Sequence, residues 1–379
     1  MADMVEIHGH CDNKFSPVKE AFANNFEQGL EVGASFAATI NGKFVIDIWG
    51  GYANEAQTRP WEKDTIVCVW SSTKVMTSIC ALILIDRGLL DPDAPVAEYW
   101  PEFAQAGKET IPVRYLLSHT AGLPALDMPV PMETTYDWNK VVSLLAAQRP
   151  WWEPGKDWGY HALTSGFLVG EVVRRITGKT LGTFFREEVA TPLGADFHIG
   201  LPEEHEPRVG EMIPPPEFKP GDPSYITPDS MLYRAMNFPI FSALNARDRA
   251  FRAAEIPAGN GHGNARSVAR ISAVVACEGE LDGVHLFGLP TIEKALEEQY
   301  YGQPQSWPFP MRFGLGFGLT SKERPIGPNA RVLYWGGYGG SVVVMDLDAR
   351  LSCSYVMNKM GGTPNPRIIP IISALYTAL

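Results

Sequence analysis

The sequence predicts an α/β lobe built from both ends of the chain, with an all-helical lobe inserted between them. Three observations carry this expectation. A hairpin stands near the N-terminus, where extended runs flank Asn41-Gly42, and Asn-Gly between β-rich runs is the strongest short hairpin signal. Extended runs return near the C-terminus, at residues 313–319, 332–335, 341–346 and 351–356. Between them, from residue 96 to about 190, apolar residues recur at helical spacing. A chain of 379 residues exceeds one ordinary domain. The α/β domain is expected at 1–90 and 255–379, and the helical domain at 91–254.

In order along the chain, Ser16-Pro17 opens a helix, with serine as N-cap and proline at the first helical position. Val18, Phe22 and Phe26 share its inner face, and Gly29 ends it. The hairpin strands run from Ala34 to Ile40 and from Lys43 to Trp49. A short extended piece, 65–70, then feeds into Ser71-Ser72-Thr73-Lys74. The run that follows (Ile79, Cys80, Leu82, Ile83, Leu84, Ile85) is apolar nearly all round, the pattern of a helix buried on every side. Gly88 stops it, with Arg87 in its last turn. Beyond the connector 89–95, helices are expected at 113–117, 138–147 and 165–176, the last closed by Gly178, and Thr180 caps another. Residues 201–228 are rich in proline (Pro202, Pro207, Pro214, Pro215, Pro216, Pro220, Pro223, Pro228) and read as a long loop, either a binding wall or a passive excursion. A helix at 265–277 precedes the C-terminal strands, and a last helix spans 366–379.

Hydrophobic content of 45% with 20% charged residues is that of a folded soluble protein. A net charge of −11 argues against nucleic acid or an anionic membrane as partner, because either calls for basic patches. Five scattered cysteines form no disulfide framework and fit a reducing compartment. The start, Met1-Ala2-Asp3-Met4-Val5-Glu6, lacks the basic and apolar regions of a signal peptide, and the longest apolar run, 79–85, is too short for a bilayer. A cytoplasmic protein is expected.

The chemistry centres on Ser71 and Lys74. Residues three apart share one helical face, so hydroxyl and amine can meet. A lysine heading a buried helix is desolvated, which lowers its pKa toward that of a general base for serine. The plainer alternative makes Ser71 an N-cap and Lys74 a solvated first-turn residue. Two further stretches find a place beside the pair. In Trp158-Gly159-Tyr160-His161-Ala162, the Tyr160 phenol can lean toward it, with Lys74 lowering the phenol's pKa. In Tyr334-Trp335-Gly336-Gly337-Tyr338-Gly339-Gly340-Ser341, glycines mark close approach to the backbone, and an N–H there can join that of Ser71 in holding an oxyanion. A core tyrosine and an ordinary glycine turn are the alternatives. No Gly-x-Ser-x-Gly elbow occurs, and the glycine clusters fit neither a dinucleotide fingerprint nor a P-loop. No cofactor is expected. His8-Gly9-His10-Cys11-Asp12 is ligand-rich, but it lies in a terminal arm without a second cluster and reads as a solvated tail; no metal is expected.

Together, Ser71-x-x-Lys74, Tyr160 and Trp335-Gly336-Gly337 resemble, in order and spacing, the serine β-lactamase-like superfamily, and within it the family VIII carboxylesterases related to class C β-lactamases. Leu116-Leu117-Ser118-His119-Thr120-Ala121-Gly122-Leu123-Pro124, Gly261-His262-Gly263-Asn264-Ala265-Arg266-Ser267 and Phe313-Gly314-Leu315-Gly316-Phe317-Gly318 look like further signatures of the group. The resemblance implies a β-lactamase/penicillin-binding-protein-like fold, an antiparallel sheet flanked by helices with an inserted helical lobe. It implies Ser71 as the acylated nucleophile, Lys74 and Tyr160 sharing the proton work as a coupled pair, and the N–H groups of Ser71 and Tyr338 as oxyanion hole.

Two departures bear on substrate. Class C β-lactamases carry Tyr-x-Asn where this chain has Ala162, and Lys-Thr-Gly where it has Trp335. Losing an amide and a cation weakens binding of an anionic β-lactam, while an indole offers an apolar wall. Trp151, Trp152 and Trp158 add to it, and His161 reads as structural. A cytoplasmic serine carboxylesterase is therefore expected, acting on small-molecule esters with apolar or aromatic groups through an acyl-enzyme. The alternatives are an acyltransferase moving a short acyl chain onto a natural-product alcohol, and a weak β-lactamase or amidase. A non-catalytic scaffold relative would have lost Ser71, Lys74 or Tyr160, and all three are present.

Overall fold

The computed structural model describes residues 5–222, 224–240, 242–362 and 365–379. Met1 to Met4 and Pro223, on which parts of the sequence reading fall, lie outside them. A nine-stranded antiparallel sheet has helices against it, the architecture that the resemblance implied. From one edge its strands run Ile7–Cys11, Lys43–Gly51, Gly33–Ile40, Leu351–Met357, Val342–Asp346, Val332–Gly336, Gly318–Leu319, Met311–Phe313 and Tyr300–Gly302. The N-terminal hairpin and the C-terminal strands meet at the sheet's centre, in the register Phe36↔Tyr355.

Strand alternation explains why that centre is buried on both sides. Ser352 and Tyr355 lie three apart and so point to opposite faces. Ser352 Oγ donates to Ala269 O at 2.8 Å, in the helix Ala265–Ala276. The Tyr355 ring packs edge-on against Phe22, at 6.0 Å, in the helix Ser16–Glu27. With helices on both faces, Leu351–Met357 is buried throughout. The helix Thr73–Asp86 is likewise buried from Thr73 to Ile85, against the helices Thr164–Thr177, Leu181–Phe185 and Leu289–Leu296. Its all-round apolar pattern called for this.

The hairpin turn stands as read, with Asn41 and Gly42 both at positive φ, as a type I′ turn needs. Helices at Val113–Leu117 and Trp138–Ala147 form as expected, and Thr180 caps Leu181–Phe185 through its side chain. Elsewhere the structure corrects the sequence. Ser16 is already helical and caps nothing, because a 3₁₀ turn, Asn13–Phe15, leads into the helix. The supposed solvated tail at 8–12 is mostly the edge strand Ile7–Cys11, paired with Lys43–Gly51. Exposed histidines conceal a strand whose hydrogen bonds run to an edge rather than through a core. The run 313–319 is not one strand, because Gly316 (φ +93°) folds it into a hairpin pairing Phe313 with Gly318. Within 65–70 only Val67–Cys68 forms a strand, against His262–Gly263, while Ile66 makes an isolated parallel bridge to Val209. The proline-rich stretch is largely irregular, with one 3₁₀ segment at Glu203–Arg208. Among the described residues, no helix is long and apolar enough to cross a membrane.

Candidate active site

Ser71 lies in a 3₁₀ turn, Trp70–Ser72, that joins the Val67–Cys68 strand to the helix Thr73–Asp86. Trp70, just before it, is held at φ +48°, a conformation that costs a non-glycine residue energy and persists only where neighbours enforce it. Those neighbours are plain. Thr73 Oγ1 donates to Trp70 O (2.5 Å) while accepting from Gly261 N–H (2.9 Å). The Trp70 indole packs against Phe251 and, edge-on, against Tyr338. The helix N-cap is Ser72, and its hydroxyl lies 3.0 Å from Ser341 Oγ instead of capping the backbone. Ser71 is thus no N-cap. It is partly exposed, and its Oγ lies 3.1 Å from Lys74 Nζ.

Lys74 is only 6% exposed, and its nitrogen donates to Ala162 O (2.6 Å) and Ala258 O (2.8 Å). Ser71 Oγ, at 3.1 Å, is the third partner of this nitrogen. An ammonium would donate to all three, whereas a neutral amine donates to the two carbonyls and turns its lone pair toward the Ser71 hydroxyl. Burial pushes the Lys74 pKa well below the ordinary lysine range, in the direction the sequence predicted. The cause is desolvation of the charged form.

Tyr160 behaves otherwise than expected. Its ring lies 4.8 Å from Lys74 Nζ, yet its phenol is pushed up to about 12 rather than lowered. Burial dominates, and the proximity of Ser71 and the Trp335 indole, which favours phenolate, does not offset it. Burial drives the Lys74 amine toward its neutral form as well, so the charge on which the expected lowering rested is itself disfavoured. The Trp335 Nε1–H makes no hydrogen bond of ordinary geometry, so its pull on the phenol is weak.

Around Tyr160 stands an aromatic wall. Trp158 stacks on it at 6.2 Å, Trp335 lies at 5.5 Å, and Trp307 meets it edge-on at 5.3 Å. Trp152 packs one shell out, against His161, and Trp151 lies away under the Arg234 guanidinium. Trp307 escaped the sequence reading; a tryptophan between two prolines in a loop carries no periodic signal. His119 also escaped it as a working residue. Its carbonyl accepts from Gly159 N–H (3.1 Å) and its Nδ1 from His161 N–H (3.2 Å), gripping the loop on both sides of Tyr160. It does so at φ +63°, and burial keeps the ring neutral by pushing its pKa well below the usual value. His161 is structural: Nδ1–H donates to Gly159 O and Nε2 accepts from Leu123 N–H. Replacing His119 with alanine is expected to cost about 2–4 kcal/mol, through an emptied core site and an unpaired His161 N–H. The midpoint of urea unfolding reads this. An unchanged midpoint would refute the grip.

The third stretch arrives from the sheet. A methyl group at Gly337 would clash with Val69 O and Ser341 Oγ and come 3.3 Å from Ser71 N. Only glycine lets this strand end lie against the Ser71 turn. Ser341 Oγ fixes the contact by donating to Val69 O at 2.7 Å. Gly336, the last residue of its strand, and Gly337 thereby bring Tyr338 beside Trp70. Among the described residues, no group of three or more His, Cys, Asp or Glu is arranged to hold a metal ion.

Comparison with known proteins places this geometry in context. The Beta-lactamase family model matches residues 22–376. The esterase/beta-lactamase LipL of Mycobacterium tuberculosis is 34% identical over 363 residues, 93% of this chain and 83% of that protein. The crystal structure of a family VIII carboxylesterase superposes with a TM-score of 0.92 at 42% identity, covering 99% of this chain and 100% of the other. A penicillin-binding protein homologue from Caulobacter crescentus superposes with a TM-score of 0.89 at 36% identity, with coverage of 99% and 100%.

Proposed function

Since the chain belongs to the beta-lactamase family, we propose that it is a serine carboxylesterase in which Ser71 is the nucleophile and Lys74 its general base. The observation that carries this is the pair of carbonyls on Lys74, Ala162 O and Ala258 O. Burial favours the neutral form of this lysine, in which the carbonyls take both N–H bonds and the lone pair faces the hydroxyl 3.1 Å away. Ser71 O–H gives its proton to Nζ as Oγ attacks the ester carbonyl. The carbonyl oxygen becomes an oxyanion held by the N–H groups of Ser71 and Tyr338. Collapse of this intermediate expels the alcohol as Tyr160, a phenol near neutral pH, hands it a proton and recovers one from Lys74. An acyl-Ser71 remains. Water then attacks it, losing its proton to Lys74; the acyl–Oγ bond breaks as Lys74 returns that proton to Ser71 Oγ, and release of the acid restores the enzyme.

The wall of Trp335, Trp307 and Trp158 favours neutral esters with an apolar or aromatic group. Trp335 is 8% exposed and supplies no cation. A carboxylate pressed against it is desolvated without compensation, at a cost of ~1–3 kcal/mol, which slows turnover about tenfold to a hundredfold. kcat/KM for short-chain aryl esters is accordingly expected to exceed that for any cephalosporin by about a hundredfold or more. Trp335→Lys should narrow the ratio. Steady-state kinetics of both substrates on both proteins test this. Equal wild-type rates would favour the β-lactamase reading. The same assays with a competing alcohol separate hydrolysis from acyl transfer: free acid as the main product supports the esterase, and transferred ester the acyltransferase.

A further inference from the structure

Behind the oxyanion-binding turn lies a buried ion pair. Arg367 is 3% exposed and the Glu31 side chain 0%. Arg367 Nη1 donates to Glu31 Oε1 at 3.0 Å and to Lys359 O at 2.7 Å, and Nε donates to Asn365 Oδ1 at 2.9 Å. Nη2 reaches the active-site side, donating to the carbonyl of Gly339, which also accepts from Gly361 N–H at 2.9 Å. Asn365 Nδ2 donates to the next carbonyl, Gly340 O, at 3.0 Å.

These two carbonyls belong to the tight turn that carries Tyr338. The turn is closed by Gly337 N–H to Ser341 O (2.8 Å) and Gly340 N–H to Gly337 O (3.1 Å). Gly339 and Gly340 both sit at positive φ, +86° and +123°, so the turn has no side chain there to fix it. Its front is pinned to the nucleophile turn by Ser341, and its back rests on Arg367 and Asn365. A side chain at Gly340 would collide with both of them.

Stability alone accounts poorly for the pair. Glu31 Oε1 also accepts from the Tyr355 hydroxyl, but Oε2 has no partner among the described residues. Burial pushes the carboxyl up to about 7 despite Arg367, and a buried carboxylate so placed tends to cost about as much as its ion pair returns. Arginine's rigid fork is suited to holding several acceptors in one fixed geometry. Resting on the reading of Tyr338 N–H as an oxyanion donor, we propose that Glu31 and Arg367 are positioning residues: Glu31 orients the Arg367 guanidinium, which through Gly339 O sets the direction of the oxyanion-binding turn.

The test compares Glu31→Gln and Arg367→Lys with wild type, every rate being divided by the active sites titrated with a fluorophosphonate. Each variant is expected to lose about ten- to a hundredfold in kcat per titrated site, less than loss of a whole oxyanion donor costs, with KM unchanged. Affinity for an aryl trifluoromethyl ketone, whose hemiketal oxygen occupies the hole, should fall by the same factor. Affinity for the corresponding alcohol should not. A lower melting temperature with kcat per site and ketone affinity unchanged would show a purely structural pair and overturn the proposal. Asn365→Ala, at a half-buried position, serves if the buried variants do not fold. It removes the support of Gly340 O, and kcat per site should fall about three- to tenfold; no change overturns the proposal equally. A wild type with no titratable Ser71 would overturn the catalytic reading and the brace together.

Discussion

Replacing Ser71 with alanine is expected to abolish ester hydrolysis, by about 10⁴-fold or more in kcat, because removal of a nucleophile cannot be shared out among its partners. The fold should survive. Ser71 is partly exposed and does not cap the Thr73–Asp86 helix. Unfolding by urea should be nearly that of wild type, so the lost activity reports chemistry. In the wild type, mass spectrometry after treatment with a fluorophosphonate should place the adduct on the peptide containing Ser71. The other serines near the site are worse placed. Ser72 and Ser341 are 1% and 2% exposed and occupied with each other. Ser165 is 7% exposed, with a hydroxyl that has no partner. An adduct on any of the three, or hydrolysis surviving in Ser71→Ala, would remove the nucleophile assignment.

Lys74→Ala and Tyr160→Phe are expected to lower kcat by about 10³-fold or more and about 10²-fold or more respectively, within what proton transfer contributes to such reactions. The double variant should be little worse than Lys74→Ala alone, because the two groups act in one relay. The pH profile separates their roles. Protonated Lys74 has no lone pair, so kcat/KM rises with pH as Lys74 loses its proton. Burial lowers that pKa, so the plateau should be reached well below the ordinary lysine value of about 10.4. Tyr160, near 12, remains a phenol across the plateau. Tyr160→Phe should keep the acid limb at a reduced rate, and Lys74→Arg should have no such plateau. A limb that vanishes in Tyr160→Phe would make the tyrosine the base.

Burying Lys74 also bears on stability, and in the opposite direction from a salt bridge. Between its folded and unfolded pKa values the unfolded chain binds the extra proton, so this group's contribution to stability rises with pH in that window. It does not change below the folded pKa or above the unfolded one. Burial thus favours the neutral amine at a cost that falls as the solution becomes alkaline.

What the sequence by itself determined is what depends on neighbours along the chain. The Asn41-Gly42 turn, the caps and stops at Thr180, Gly178 and Gly88, and the apolar run after Ser71 follow from local propensity and period, and all stand where they were read. So does the spacing that lets Lys74 reach Ser71, since three residues on a helix share a face whatever else surrounds them. The residues around Tyr160 and Trp335 offered two further candidates, the resemblance implied roles for them, and the fold sets both beside the pair.

Only the tertiary structure decided the balance of forces at the site. Whether Tyr160 is driven toward phenolate by a nearby amine or away from it by burial depends on how much protein encloses the ring and on whether the amine is charged. Neither can be read from spacing. The same holds for His119, Ser341, Trp307, Glu31 and Arg367. Each works through atoms many residues distant: Ser341 Oγ on Val69 O, Arg367 on the carbonyl of Gly339 and the carboxylate of Glu31. Desolvation and long-range hydrogen bonds are properties of the packed interior. A local pattern can name the groups that meet there, but their protonation and orientation are set by what the folded chain closes around them.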